Sequence, residues 1–502
     1  MKEESIKSED VAKKVEKSAE DAEGGLDLDE IMSENDNSGD ETGFNIKSLI
    51  YCGISFILAD SNVGMLVPFL PLAAKARGLS PLAVGIVFAV FNLANFCCCF
   101  FVPKVNMTFG GIRVLTFCNL SQAASTACLA FTGLIYDPTT YFVVMLFLRS
   151  LQGACAAGAE VAASGLIFRS APRAKVAEVM AMIEAVRIIG IVLGPVIGGG
   201  MYQKLGYPAP FIFMAALIGS LCTAMIFFPI SSKIDNKDLE RDNSHQKKLL
   251  KSPVILICVA FATLFATAVS FLEPSLEPFM AKPPYDLTQL QVGFVYSSLS
   301  LTFALAAACS QAIGDLVGLT ATFLLSATIN CLAYNIIAPP KKFTGPLSLF
   351  YFLHQNSKGG AIALALGAIA LVGVGGGMGI VPGTELMFKE AEHLGYSKET
   401  VSDSIAMIMY VPFTVGFFFG PLIGGALVHH MGFPRSCALF GICVFVLSVV
   451  LTLILSSILS RRKEEENESN NNADTTDSTS SDLSTPLIEQ VKEEPSIPHT
   501  VV

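Results

Sequence analysis

The sequence predicts an all-α membrane protein. Twelve transmembrane helices form two pseudo-symmetric six-helix halves, with a disordered acidic tail at each end. Three observations predict this. The 502 residues are 52 % hydrophobic and only 15 % charged, with no tryptophan, where average usage is roughly a quarter charged. The charge is also segregated: residues 1–45 carry −10 and residues 461–502 carry −6, so the 415 residues between them carry +6. And two 18-residue segments, 190–207 and 416–433, share seven residues in an ungapped alignment. A +6 body of long apolar runs excludes a water-soluble enzyme of one or two domains. It equally excludes a nucleic-acid binder, which needs a basic stripe on a solvated face.

The elements follow in order. A hydrocarbon core of about 30 Å asks for about 20 apolar residues per helix. Runs of that kind lie near 48–71, 82–102, 112–135, 140–168, 176–200 and 209–231, then near 252–280, 288–312, 318–338, 360–386, 401–428 and 434–460. The polar stretch 232–251 separates the sixth from the seventh, which gives a first half over 46–231 and a second over 252–460. The tails, 1–45 and 461–502, are acidic, rich in Ser, Asn and Thr, and poor in aromatics, a composition that does not bury a core.

Lys and Arg placement sets the expected orientation. With both tails cytosolic, seventeen basic residues fall on the cytosolic side, including Lys104, Arg113, Arg169, Lys248 and Arg462. Eight fall opposite, among them Lys75, Arg77, Lys341 and Lys342. The sequons at Asn106, Asn119 and Asn467 are then cytosolic or within a span, and none should carry glycan. The first apolar run begins near residue 46 behind the acidic tail, so no cleavable signal peptide is expected. All thirteen cysteines sit in or beside apolar runs, Cys97-Cys98-Cys99 included, and read as packing residues rather than as a disulfide or zinc framework. Leu487-Ile488, after Asp482, has the outline of an acidic dileucine sorting signal.

The duplication is specific. Residues 190–207 (GIVLGPVIGGGMYQKLGY) and 416–433 (GFFFGPLIGGALVHHMGF) align without gaps and share seven of eighteen residues. The shared set includes Gly190/Gly416, Gly194/Gly420, Pro195/Pro421, Gly198/Gly424 and Gly199/Gly425. Glycines four apart let another backbone approach, and a proline frees a carbonyl and permits bending. Placed in the fifth span of each half, they predict two bodies hinged to rock around a midplane site, as in secondary transporters.

This run resembles the antiporter motif of the major facilitator superfamily. Arg149-Ser-Leu-Gln152-Gly153 resembles that superfamily's fourth-span Arg-x-x-Gln-Gly. The loop after the second span departs from the family pattern and keeps only Gly110, whereas its counterpart in the second half keeps Asp315 and Gly318. Within the superfamily, Leu272-Glu273-Pro274-Ser-Leu276 resembles the Leu-Glu-Pro-Ala-Leu of vesicular amine transporters. Ala209-Pro210-Phe211, and Asp60 ahead of Val67-Pro68, resemble further segments of theirs. Tyr410 replaces their eleventh-span aspartate. Glu184 and Gly377-Met378-Gly-Ile-Val-Pro382 resemble the polyamine-transporting branch. The resemblance implies the major facilitator fold and proton-driven amine transport.

Charges in spans cost a few kcal/mol on insertion scales, which makes each a functional candidate. They are Asp60, Arg149, Glu160, Glu184, Arg187, Glu273 and Glu385, with Glu277 near a span end. Carboxylates outnumber arginines, so some must be protonated or neutralised by a bound cation. Asp60, Glu184, Glu273, Glu277 and Glu385 are the expected substrate or proton sites; Arg149, Glu160 and Arg187 are the expected charge-pair or gating residues. Glu184 and Arg187, three apart on one helix face, make either a switchable or a permanent pair, and Glu160 is a second candidate partner for Arg187. Arg149 reads as holding a neighbouring helix. Glu273 precedes Pro274, which should leave carbonyls unpaired and build a cation-accepting corner. Glu277 either joins it or is solvated at the lumenal mouth. Phe413, Tyr410 and Phe417–Phe419 can stack on an amine or simply pack. His429-His430 is either a sensor of lumenal acid or an exposed pair.

The expected function is a secondary active antiporter that exchanges protons for an organic cation, a polyamine, into an acidic vesicle. A plasma-membrane drug/proton antiporter and a non-transporting receptor or scaffold are the alternatives. No Walker motif, metal motif or Ser/His/Asp arrangement is present, so ATP-driven transport and enzymatic chemistry are not expected. Expected partners are the cation, protons and membrane lipid, with sorting adaptors at the C-terminal tail and no nucleic acid, cofactor or metal.

Overall fold

Prolines and capping side chains set many of the helix starts. Pro81, Pro208 and Pro253 stand in first turns, where the missing amide costs nothing. Ser80 accepts from the Ala83 amide, and Thr288 forms a capping box with Gln291. The computed structural model describes residues 46–170, 176–229, 248–339 and 358–481. Among these, twelve helices are long and apolar enough to cross a membrane. The first half has span 1 (Ile46–Gly64), span 2 (Pro81–Cys99), span 3 (Gly111–Phe131), span 4 (Pro138–Ser170), span 5 (Val176–Leu205) and span 6 (Pro208–Phe227). The second has span 7 (Pro253–Ser270), span 8 (Gln289–Val317), span 9 (Leu319–Ile337), span 10 (Lys358–His393), span 11 (Lys398–Met431) and span 12 (Phe433–Ser481). The tail 1–45, the linker up to residue 247 and Leu487-Ile488 lie outside the described residues.

Twelve alternating spans bring both chain ends to one end of the bundle, the tail end; the other is the far end. Gly110 and Gly318 hold equivalent tail-end corners, at φ 87° and 90°. Only glycine adopts that backbone without strain, which explains why Gly110 survives in an otherwise degraded loop motif.

Two expectations need correcting. Runs 48–71 and 252–280 read as continuous helices, but span 1 stops at Gly64 and resumes as a short helix Leu70–Ala76, and span 7 stops at Ser270 and resumes as Leu276–Met280. Pro68 and Pro274 are the cause. Each ring clashes with the carbonyl four residues earlier, which is Gly64 in one case and Ser270 in the other. The second correction concerns 461–481, read as disordered but continuous with span 12 through Ser481. Arg462 anchors this extension on Glu390 of span 10, at 2.5 and 3.0 Å.

Packing divides the molecule unevenly. At the far end one apolar core takes side chains from both halves, including Phe69, Tyr141 and Phe211 with Phe271, Leu276 and Tyr334. Toward the tail end each half has its own core, one around Phe56, Leu115 and Leu166, the other around Phe261, Phe265 and Phe323. Among the described residues, the halves thus share a core at the far end and keep separate cores toward the tail end.

The repeated glycines follow the same twofold logic. Gly190 and Gly194 pack on the span 1 backbone at Ile57 and Ser61, and Gly198 on that of Met65 just beyond it. Gly416 and Gly420 pack on span 7 at Thr263 and Thr267, and Gly424 on Phe271 just beyond it. The last glycine of each motif faces across the halves: a Cβ on Gly199 would lie 2.3 Å from the Gln289 carbonyl oxygen of span 8, and one on Gly425 would lie 2.6 Å from that of Pro81 in span 2. Spans 5 and 11 run unbroken through Pro195 and Pro421. The helix breaks expected of a hinge lie instead in spans 1 and 7, and the motif glycines line close-packed seams.

Candidate functional site

Three helices of the first half bring their charges to one point. The Arg187 guanidinium donates to Asp60 through Nε (2.9 Å, Oδ2) and Nη2 (3.3 Å, Oδ1). Its Nη1 reaches Glu160 Oε1 at 3.1 Å and Glu184 Oε1 at 3.4 Å. The Phe56 ring lies beneath it, 5.0 Å from the guanidinium carbon. One cation thus serves three carboxylates, and with all four groups ionised the cluster carries −2. Arg187 is 23 % exposed, and Glu184, one turn nearer the tail end, is 61 % exposed. The cluster opens toward the tail end, where the two halves do not share a core.

Span 11 contacts this cluster from the second half. The Tyr410 hydroxyl lies 2.6 Å from Asn95 Oδ1 and 3.0 Å from Glu160 Oε2. It has one proton for two acceptors. The set is satisfied when Glu160 carries a proton or the Asn95 amide turns its NH2 to the hydroxyl. Further toward the far end, the Asn92 amide donates to the Phe417 carbonyl at 3.1 Å, and the Gly85–Pro421 and Gly425–Pro81 contacts continue the seam. Spans 5 and 8 close a matching seam through Ser297 on the Val192 carbonyl (2.5 Å) and Gly293 against Pro195. Both seams shut the far end.

Glu273 stands apart from the Arg187 cluster. It sits in the broken turn of span 7, half-buried and with no ion pair among the described residues, within electrostatic reach of Arg149. Arg149 is 1 % exposed. Its Nη1 donates to Gln152 Oε1 at 3.1 Å, and its guanidinium lies over Phe91 at 4.5 Å. Gln152 donates in turn to Thr126, which meets Asn62 of span 1. This chain ties spans 1 to 4 together and presents one fixed positive charge to the second half. The carbonyls expected to be unpaired around Pro274 have donors: the Glu273 amide donates to the Ser270 carbonyl at 3.2 Å, Tyr296 to that of Leu272 at 3.0 Å, and Tyr334 to that of Ala268. The carboxyl of Glu273, not the freed backbone, is the group left for a cation.

Glu277 and Glu385 are not brought to this site. Glu277 is 1 % exposed, so it is not the solvated residue that its place near a span end allowed; the short helix Leu70–Ala76 packs over it. Glu385 pairs with Lys389 one turn on, at 2.6 Å. We therefore expect Glu385→Gln to retain proteoliposome uptake within about two-fold of wild type, since a helix-surface pair contributes only about 0.3–0.5 kcal/mol. His429 and His430 are exposed. Sequence reading missed Glu390, which is buried where Ser252 and Arg462 both donate to it and thereby clamps spans 7, 10 and 12. It also missed Asn95, whose only sign was a polar residue inside an apolar run.

The comparisons with known proteins agree with this architecture. The model of the Major Facilitator Superfamily matches residues 52–405. The MFS-type transporter SLC18B1 of Rattus norvegicus is 27 % identical over 440 residues, covering 84 % of this chain and 90 % of that protein. The synaptic vesicular amine transporter of Homo sapiens is 23 % identical over 321 residues, covering 63 % and 57 %. Among solved structures, the nucleoside transporter NupG superposes with a TM-score of 0.61 at 12 % identity, covering 82 % of this chain and 99 % of that one.

Proposed function

The chain belongs to the major facilitator superfamily, and from that premise we propose that it is a proton-coupled antiporter of organic cations, with polyamines as the substrate class. It is a multi-pass transporter related to vesicular amine transporters, not an enzyme. The observation that carries the proposal is the Arg187 cluster. One guanidinium among Asp60, Glu160 and Glu184 leaves negative charge that a proton or an ammonium can neutralise. Competition for the same carboxyls is the physical basis of antiport. The likeness to an amine transporter supports an amine as the cation.

The polyamine reading rests on two anionic stations in two halves. The Asp60–Glu160–Glu184 cluster belongs to the first half and Glu273 to the second. A flexible polycation can span both, whereas a monoamine engages one. With the tails cytosolic, as the Lys and Arg count supports, the open tail end receives substrate from the cytosol. The shut far end faces a vesicle lumen. Loading would compete with Arg187 for Asp60 and Glu160. Rocking would then part the 2–11 and 5–8 seams, and lumenal protons would displace the amine.

The test is uptake into proteoliposomes with an acidic interior, screened with spermine, spermidine, monoamines and cationic drugs. We expect polyamine uptake that collapses when the gradient is dissipated, and a loss of at least ten-fold in Glu273→Gln. Equal transport by Glu273→Gln would remove Glu273 from the site. Localisation of the untagged protein to the plasma membrane would replace the vesicular reading with a drug antiporter.

A further inference from the structure

Glu277 sits where the two halves meet at the far end. It lies on the short helix Leu276–Met280 that resumes span 7, against Leu70–Ala76, which resumes span 1. It is 1 % exposed, and neither carboxyl oxygen has a hydrogen-bond partner among the described residues. The Leu72 amide and the Gln289 side chain face it without closing a bond. The titratable groups around it are Lys75 on the facing helix, Tyr202 of span 5 and Tyr296 of span 8. Lys75 is exposed and makes no ion pair with it. Tyr296 is committed to the Leu272 carbonyl. An ionised carboxylate shut away without a donor is costly. The contact that buries Glu277 is one that must open for the far end to open.

We propose that Glu277 is a proton-binding site of the far-end seal, distinct from the substrate carboxyls, which binds a lumenal proton as the seal closes and returns it to the lumen as the seal opens. The step balances: one carboxylate and one proton from the far-end compartment give one carboxylic acid, and opening reverses it. No proton crosses the membrane by this route. Lumenal acid therefore drives resealing, and the empty carrier returns faster where the lumen is already acidic. This rests on the antiport reading above and adds a pH dependence separate from coupling.

The experiment measures polyamine uptake by the full-length protein against internal pH, from 5.5 to 7.5, at fixed external pH. Wild-type uptake should rise as internal pH falls. Glu277→Gln, whose amide stands in for the neutral acid, should flatten the profile and exceed wild type by at least three-fold at internal pH 7.5. The number of protons exchanged per cation should not change. Lys75→Gln keeps the carboxyl but removes the positive charge that favours its ionised form, so its profile should shift toward neutral internal pH. This second variant keeps the test alive if Glu277→Gln does not fold. A wild-type profile in either variant overturns the proposal. So does reduced apparent affinity of Glu277→Gln for polyamines with its pH profile intact, which places Glu277 in the substrate site. Absence of gradient-driven uptake by the wild type is a different outcome, and it defeats the antiport reading itself.

Discussion

Arg187→Gln is expected to abolish uptake and to lower thermal stability. The substitution leaves Asp60, Glu160 and Glu184 around a neutral amide, and three carboxylates within reach of one former cation then repel one another. Removing one partner of a buried ion pair costs about 3–5 kcal/mol. Arg187 is 23 % exposed, so solvent screening places the loss near the lower end, about 3 kcal/mol. Uptake should fall at least 100-fold, because the cluster loses the internal cation with which substrate exchanges. Arg187→Lys should be intermediate. A lysine keeps the charge but cannot present Nε and Nη2 to Asp60 while Nη1 serves two glutamates. Adding Glu184→Gln to Arg187→Gln should recover part of the stability, since one repelling carboxylate is gone. Thermal melting of the purified protein and proteoliposome uptake check both effects. A stable, active Arg187→Gln protein would show that the cluster is not the site.

Gly425→Val and Gly199→Val should hold the far end open. A Cβ at 425 meets the Pro81 carbonyl oxygen at 2.6 Å and Gly85 Cα at 3.1 Å; one at 199 meets the Gln289 oxygen at 2.3 Å and Leu290 Cα at 3.2 Å. Backbone cannot step aside as a flexible side chain does, so the halves must part. Overpacking of this kind costs about 1–3 kcal/mol. Charged to the shut state alone, that moves the equilibrium roughly 5- to 150-fold toward the open one. Loading from the tail end should drop at least ten-fold. Hydrogen exchange should rise at 70–80 and 281–289, which line the parted seam. Gly424→Val is the control. Its Cβ would meet the Phe271 carbonyl oxygen at 2.3 Å within one half, so it should lower stability without favouring either state. If all three variants behave alike, the distinction between seams within and across halves fails.

Much of this was legible in the chain, for identifiable reasons. Span positions follow from apolar length, and the two halves follow from the duplicated glycine motif. Both are local patterns. The break at Pro68 was hidden because the run stays apolar across it, and hydropathy does not register a lost carbonyl partner; at Pro274 the proline itself signalled unpaired carbonyls, but not that the helix stops at Ser270. The Glu184–Arg187 contact is local, at i and i+3, and was legible as a pair. Asp60 and Arg187 are 127 residues apart, and Tyr410 and Glu160 are 250 apart; only packing brings them together. Charge count named Glu385 and Glu277 as readily as Asp60, because composition does not say which carboxylate finds a lysine one turn on and which is sealed beneath a neighbouring helix. Glu390 went unnoticed for the converse reason: it sits where a span meets its loop, a place where acidic residues are ordinary, yet Arg462 and Ser252 enclose it.

The most direct measurement records spermine entry and internal pH together in proteoliposomes with an acidic interior. Our account predicts that each entering cation is accompanied by alkalinisation of the interior at a constant ratio, and that both signals vanish together in Arg187→Gln. Spermine entry with no movement of internal pH, or pH movement that persists without spermine, would contradict it.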